Sequence, residues 1–362
     1  MKKLNLIMAL CLPLALAVSS CQKDDANAAT NNGGDNATGG KTLVKITDVT
    51  YSKEYDNYTL SNTSGYYHVL SFSYSNGLIT GYENADYGDY GNEVHSATIA
   101  YDSQGHPTSL SAEGRTITPD INYDADGHIT RVYYSYGNGW ERNTFTWQNG
   151  VVTSMTKEGS EYDTPVVTTF RWENGNMVEQ SQISSDSRAT YTYVYDDHPS
   201  YMDSYGQLPF VMNLENITSL SRNNVIKRTS TLEYIGGTTT IYITNYIYTY
   251  GSDGYPVSFK EVEDNSNHGA YYSVRDNTIY LTYADGSGSD APTMYEVKIT
   301  DRYPGGGWIE GGGYYERGKE VMLRANNYSG YHFVQWNDSN TDNPRTFYCT
   351  GNATYSATFA AN

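Results

Sequence analysis

From Leu43 to Thr282 the chain repeats one short phrase: an aromatic residue, two or three polar residues, a glycine, then a β-prone run. The copies read Tyr74-Ser75-Asn76-Gly77-Leu78-Ile79, Tyr101-Asp102-Ser103-Gln104-Gly105, Tyr123-Asp124-Ala125-Asp126-Gly127-His128-Ile129, Trp147-Gln148-Asn149-Gly150-Val151-Val152 and Trp172-Glu173-Asn174-Gly175-Asn176-Met177. Tyr195-Asp196-Asp197 and Tyr250-Gly251-Ser252-Asp253-Gly254 follow. The first six aromatics lie 22–27 residues apart. A steady period of this size means stacked supersecondary units, each too small to bury a core alone. Asn-Gly and Asp-x-x-Gly supply the positive-φ residues that hairpin turns need, so each unit is predicted to be a β-hairpin. The aromatic before each turn is expected to pack on its counterpart in the next hairpin, at roughly 0.2–1 kcal/mol per contact.

Composition agrees with an all-β chain, an antiparallel hairpin sheet followed by a small β module. Thirty-eight Tyr and 34 Gly among 362 residues leave no room for long Ala, Leu, Glu or Lys patterns at helical spacing. A net charge of −18 repels phosphate backbones and anionic lipid faces, so nucleic acid is excluded as a partner.

The N-terminus carries its own message. Lys2 and Lys3 precede the apolar run Leu4 to Val18, which ends in Val18-Ser19-Ser20-Cys21. This is too short to span a bilayer, which takes about 20 apolar residues, and it has the layout of a secretory signal over residues 1–20. The small residues before Cys21 resemble a bacterial lipobox, and Gln22-Lys23-Asp24-Asp25 resembles the acidic export tag of Bacteroidota-type surface lipoproteins. The resemblance implies a diacylglycerol on Cys21, anchorage in the outer membrane through that lipid, and display on the extracellular side. Residues 21–42 then read as the lipidated Cys and a flexible tether, reaching on the order of 25 Å. With Cys11 in the signal and Cys21 lipidated, Cys349 stands alone, and it is expected to be a buried strand residue.

Residues 43–282 resemble the YD repeats of RHS-type proteins and, more closely, an uncharacterised domain family of Bacteroidota lipoproteins. Asp197-His198-Pro199 with Ser219-Leu220-Ser221-Arg222-Asn223-Asn224-Val225 fits an insertion associated with that family, which has no assigned activity. Residues 201–224 read as an irregular loop with one helical turn, covering an end or edge of the sheet or, alternatively, binding a ligand. After a linker at 283–295, residues 296–362 resemble the divergent internalin B-repeat. In that reading Gly318 turns the chain into a strand, Tyr331, Phe333 and Val334 fill the core, and Trp336 anchors it.

No catalytic constellation stands out, no cofactor motif is present, and seven scattered His residues lack the pairing of a zinc site. Asp124-Ala125-Asp126-Gly127 has a calcium-loop look, but the ligands an EF-hand requires do not follow it, and a hairpin turn explains it. The tyrosines are the candidate ligand-binding residues. Tyr242, Tyr246, Tyr248 and Tyr250 share one strand face, opposite Ile243 and Ile247, and Tyr191, Tyr193 and Tyr195 align likewise. Such a row is either a packed layer or a platform for sugar or peptide. The functional expectation is non-catalytic binding of a glycan or protein at the cell surface, with a structural spacer second and a glycan-active enzyme third. Protease treatment of intact cells is expected to remove the protein, and survival of the full-length chain would place it facing the periplasm.

Overall fold

The computed structural model describes residues 41–362 apart from 89–90, 113–114, 137–138, 185–186, 203–207, 209–217, 235–236 and 264–271. Cys21 and the tether up to residue 40 lie outside the described residues. Among the described residues, 17 strands run between Leu43 and Tyr283, nearly every one paired antiparallel with its neighbours in sequence. The first strand, Leu43–Asp56, pairs with Thr59–Ser75 on one side and with the last body strand, Tyr272–Tyr283, on the other. The sheet therefore curls into a near-closed barrel. Its one jog is at Thr118-Pro119, where a strand pairs through Arg115–Ile117 with one neighbour and through Asp120–Tyr123 with the other. Pro119 has no N–H to give a ladder, which accounts for the break.

The predicted turns are present. Asn76-Gly77, Asn149-Gly150 and Asn174-Gly175 all have positive φ at both residues (52/78°, 51/77° and 52/77°), the geometry that matches strand twist in a two-residue hairpin. The Asp turns work through their side chains: Asp102 Oδ1 accepts from the backbone N–H of Gln104 (2.8 Å) and His106 (2.9 Å), and Asp124 Oδ1 does the same for Asp126 and His128. These turns share one end of the barrel, and Lys41 enters there, paired with Asp253 and Asp285.

The repeating aromatics do something more directional than pack on each other. Each reaches back to the preceding hairpin and donates a hydrogen bond to a strand carbonyl: Tyr74 to Leu43 (2.6 Å), Tyr101 to Ile79 (2.7 Å), Trp147 to Ile129 (2.8 Å), Trp172 to Val152 (2.7 Å), Tyr195 to Met177 (2.6 Å) and Tyr283 to Pro256 (2.7 Å). From Tyr101 onward the acceptor is the second residue after the previous turn's glycine. Tyr and Trp both serve in this role because each joins a large ring to a single donor. Tyr123 and Tyr250 are exceptions: the Tyr123 ring stacks on His106 at 4.1 Å with its hydroxyl unpaired, and Tyr250 donates to the Asp196 carboxylate while its ring stacks on His198.

Inside, Ile46, Leu70, Val132, Phe145, Phe170 and Leu281 belong to one continuous apolar cluster. Residues of the insertion complete it. Tyr201, Met202 and Leu208 are buried there, Tyr201 lying 5.6 Å from the Phe259 ring, and a short 3₁₀ turn at Thr218–Leu220 follows. Asn224, fully buried, ties this segment down by donating to the Pro199 carbonyl (3.1 Å) and to Asp196 Oδ1 through its backbone N–H (3.1 Å). The described part of the insertion is thus a plug.

The C-terminal module begins with the strand Met294–Ile299 and has its own core of Val321, Leu323, Ile309, Tyr315 and Cys349 around the fully buried Trp336. Three expectations need correction. Cys349 is buried but sits just past the strand Arg345–Tyr348. Tyr331 and Val334 are exposed rather than core. The ladder between Tyr331–Trp336 and Ala357–Ala361 slips between Phe333 and Gln335, leaving Val334 without a partner residue on the opposing strand, so simple alternation fails there. The turn after Trp336 uses Ser339 at φ 66° in place of glycine.

The module docks on the outer face of the first body strands. Met322 N–H donates to Thr63 Oγ1 (2.8 Å), Lys53 pairs with Glu320 (2.5 Å), Lys319 with Asp276 (2.8 Å), and Gly65 bridges Gly313. A Cβ on Gly65 would collide with the Tyr314 carbonyl, so this close approach requires glycine.

Trp147→Phe keeps an aromatic ring and deletes the donor to the Ile129 carbonyl. It is expected to lower stability by about 0.5–1.5 kcal/mol in denaturant titration, and an unchanged midpoint would show that ring packing alone joins the hairpins.

Candidate functional site

Away from the turn end, the inner face of the barrel changes from apolar to polar. Alternation along Leu43–Asp56 turns Ile46, Asp48, Thr50 and Ser52 inward. Opposite Thr50 stands Asn277, opposite Asn277 stands Glu261, and opposite Glu261 stands Tyr246, one rung crossing four strands. The adjoining rung pairs Arg228 with Thr244, and the rung beyond pairs Ser230 with Tyr242.

Asp48 and Asn277 are buried, with 5% and 9% exposure. Thr50 Oγ1 donates to Asp48 Oδ1 (3.1 Å), Asn277 Nδ2 to Glu261 Oε2 (3.1 Å), and Arg228 Nη2 to Thr244 Oγ1 (3.3 Å). Among the described residues, Asn277 Oδ1, an acceptor, and Arg228 Nε, a donor, are buried in this layer with no hydrogen-bond partner. Burial and the nearby Asp48 charge push the Glu261 carboxyl up to about 7, against the lowering effects of Arg228 and Asn277. Burial also raises Asp48, with Thr50 and His68 opposing. Across the barrel the same level carries a buried Lys157–Glu141 pair at 3.8 Å.

The predicted tyrosine row runs up the inner wall. Tyr193 is buried, while Tyr191, Tyr246 and Tyr248 are partly buried and pack against the core, with Tyr248 4.9 Å from Phe259. Tyr242 differs, with 57% exposure at the rim of the inner face. The isoleucines take the other side, with Ile241 and Ile247 both exposed on the outer face. Four of the five candidate residues are therefore wall, and one, Tyr242, is free to meet a ligand. Asp48, Arg228, Glu261 and Asn277 were not singled out by sequence reasoning, because pairing alone assembles them. The one signal was Phe259 and Glu261 sharing a face in Pro256–Glu263, a carboxylate continuing an apolar line.

Asp124, Asp126 and His128 bring potential metal-ligand atoms within 4.8 Å of one another. Asp124 is already occupied, one oxygen by two backbone N–H groups and the other by His128 Nδ1 at 3.0 Å. Asp102 and His106 make the same arrangement with Gln104 where the second acid would be, which identifies the motif as turn architecture.

Residues 295–362 match the family described as the divergent InlB B-repeat domain. A search among curated proteins found no match. Among solved structures, a porin-like protein from Bacteroides uniformis is similar over 67% of this chain and 97% of its own, with 14% sequence identity and a TM-score of 0.46. Likeness at that level leaves the role of this chain to its own residues.

The raised Glu261 carboxyl sets a pH dependence. Its folded-state pKa lies above the ordinary 4.5, so between about 4.5 and about 7 the folded protein binds more protons than the unfolded chain. Stability is expected to fall as pH rises through that window, by on the order of 2–3 kcal/mol, and then to level off. Glu261→Gln should flatten the decline and raise the melting temperature at pH 8, and equal pH profiles for the two proteins would refute this.

Proposed function

We propose that the protein is a non-catalytic binding protein of the cell envelope, held to the outer membrane by lipid on Cys21, that takes a neutral polar ligand such as a glycan at the barrel mouth. The observation that carries this reading is Tyr242, exposed at the rim on the strand face that continues into the polar layer of Thr244, Arg228, Glu261 and Asn277. An exposed aromatic ring at the edge of a polar concavity is the usual composition of a site for a polyhydroxylated molecule. Envelope location is supported by the secretory layout of residues 1–21 and by the B-repeat module. The reading includes no chemical step.

A spacer role is the second reading, favoured by the docking of module on body through Gly65, Thr63 and Lys53, which joins the two into one stiff unit. A glycan and host-protein array probed with the soluble chain from Lys41 onward separates the two. Binding predicts a specific hit that Tyr242→Ala removes while leaving the melting temperature within the small range of surface substitutions. A folded protein with no hit would leave the spacer reading in its place.

A further inference from the structure

The hairpin joining the first two strands departs from the rule that the three Asn-Gly turns of the body obey. Asn57 and Tyr58 have φ of 47° and 62°, both in the left-handed region, as in the three Asn-Gly turns. Tyr58 therefore occupies the position that Asn76-Gly77, Asn149-Gly150 and Asn174-Gly175 give to glycine, where a bulky side chain is disfavoured. Its ring is 67% exposed, so core packing does not explain the choice. Beside it, Tyr55 and Tyr272 face each other across the ladder that closes the barrel, their rings stacked at 4.7 Å and 8° apart in plane, with Tyr58 6.3 Å from Tyr272.

We infer that Tyr55, Tyr58 and Tyr272 form a stacking platform for the face of a neutral sugar ring. A strained residue kept in an exposed turn is the pattern of a functional site. The surroundings set the ligand class. Glu54, Asp56 and Asn57 are exposed on the same hairpin, and Asn62 Nδ2 donates to Glu54 Oε2 at 3.3 Å, giving acceptors for sugar hydroxyls and repulsion for anionic ligands. Lys53, the nearest cation on this strand, is taken by Glu320 of the docked module. The platform is separate from the rim at Tyr242 and does not depend on that site.

The test is calorimetric titration of the full chain in detergent with cellohexaose, xylohexaose and mannohexaose. At least one should bind, and Tyr58→Gly should weaken it about tenfold or more while raising the melting temperature, because glycine relieves the turn. Tyr58→Phe should retain binding, and Tyr242→Ala should leave it unchanged. No binding by any of the three, or wild-type binding by Tyr58→Gly, would overturn the platform. So would a lower melting temperature for Tyr58→Gly, since the ring would then be structural. Binding that Tyr242→Ala removes and Tyr58→Gly spares would overturn the platform and leave the rim reading standing.

Discussion

The hydrogen bond that six turn-proximal aromatics make to a carbonyl of the hairpin before them is the contact on which the body depends. A lone hairpin has little to hold it in water, and its neighbours must fix both its position and its tilt. Ring packing supplies attraction without direction. A donor at the ring edge, meeting one carbonyl at 2.6–2.8 Å, adds the direction. The same offset from the glycine recurs whether the residue is Tyr or Trp, so what is repeated is a ring carrying one N–H or O–H at a set reach.

With the hairpins held in register, the interior divides into two layers. Near the turns it is hydrocarbon, completed by Tyr201, Met202 and Leu208 from the insertion. Beyond that it becomes a network of Asp48, Thr50, Arg228, Thr244, Glu261 and Asn277, partly cross-bonded and partly left open. Burying polar groups costs stability unless partners are found. The raised Glu261 carboxyl is one sign of that cost, and the apolar layer is what offsets it.

Much of this was legible in the chain. The hairpins, their turn residues, the all-β class and Trp336 as the module's anchor follow from local chemistry, because a glycine at positive φ or a buried Trp needs little context. Closure was not legible: Thr50 meets Asn277 through a pairing between the two ends of the body, and no local pattern encodes it. The polar layer was hidden for the same reason. The tyrosine row was read correctly as one face, yet which face was wet depended on closure. Tyr246 and Tyr248 turn in and Ile241 and Ile247 turn out, against ordinary hydropathy, because hydroxyl-tipped rings suit an interior that is half polar. Val334 misled through a ladder slip that alternation cannot foresee.

The entry of Lys41 at the turn end gives the molecule a polarity. The first strand runs 14 residues from Leu43 to Asp56, about 45 Å at the usual rise, and it carries the chain from the closed end to the open one. Tyr58 lies just past its tip. The chain therefore enters the body at the end where the turns lie, and the aromatic cluster of Tyr55, Tyr58 and Tyr272 sits at the opposite end, a full strand length from Lys41.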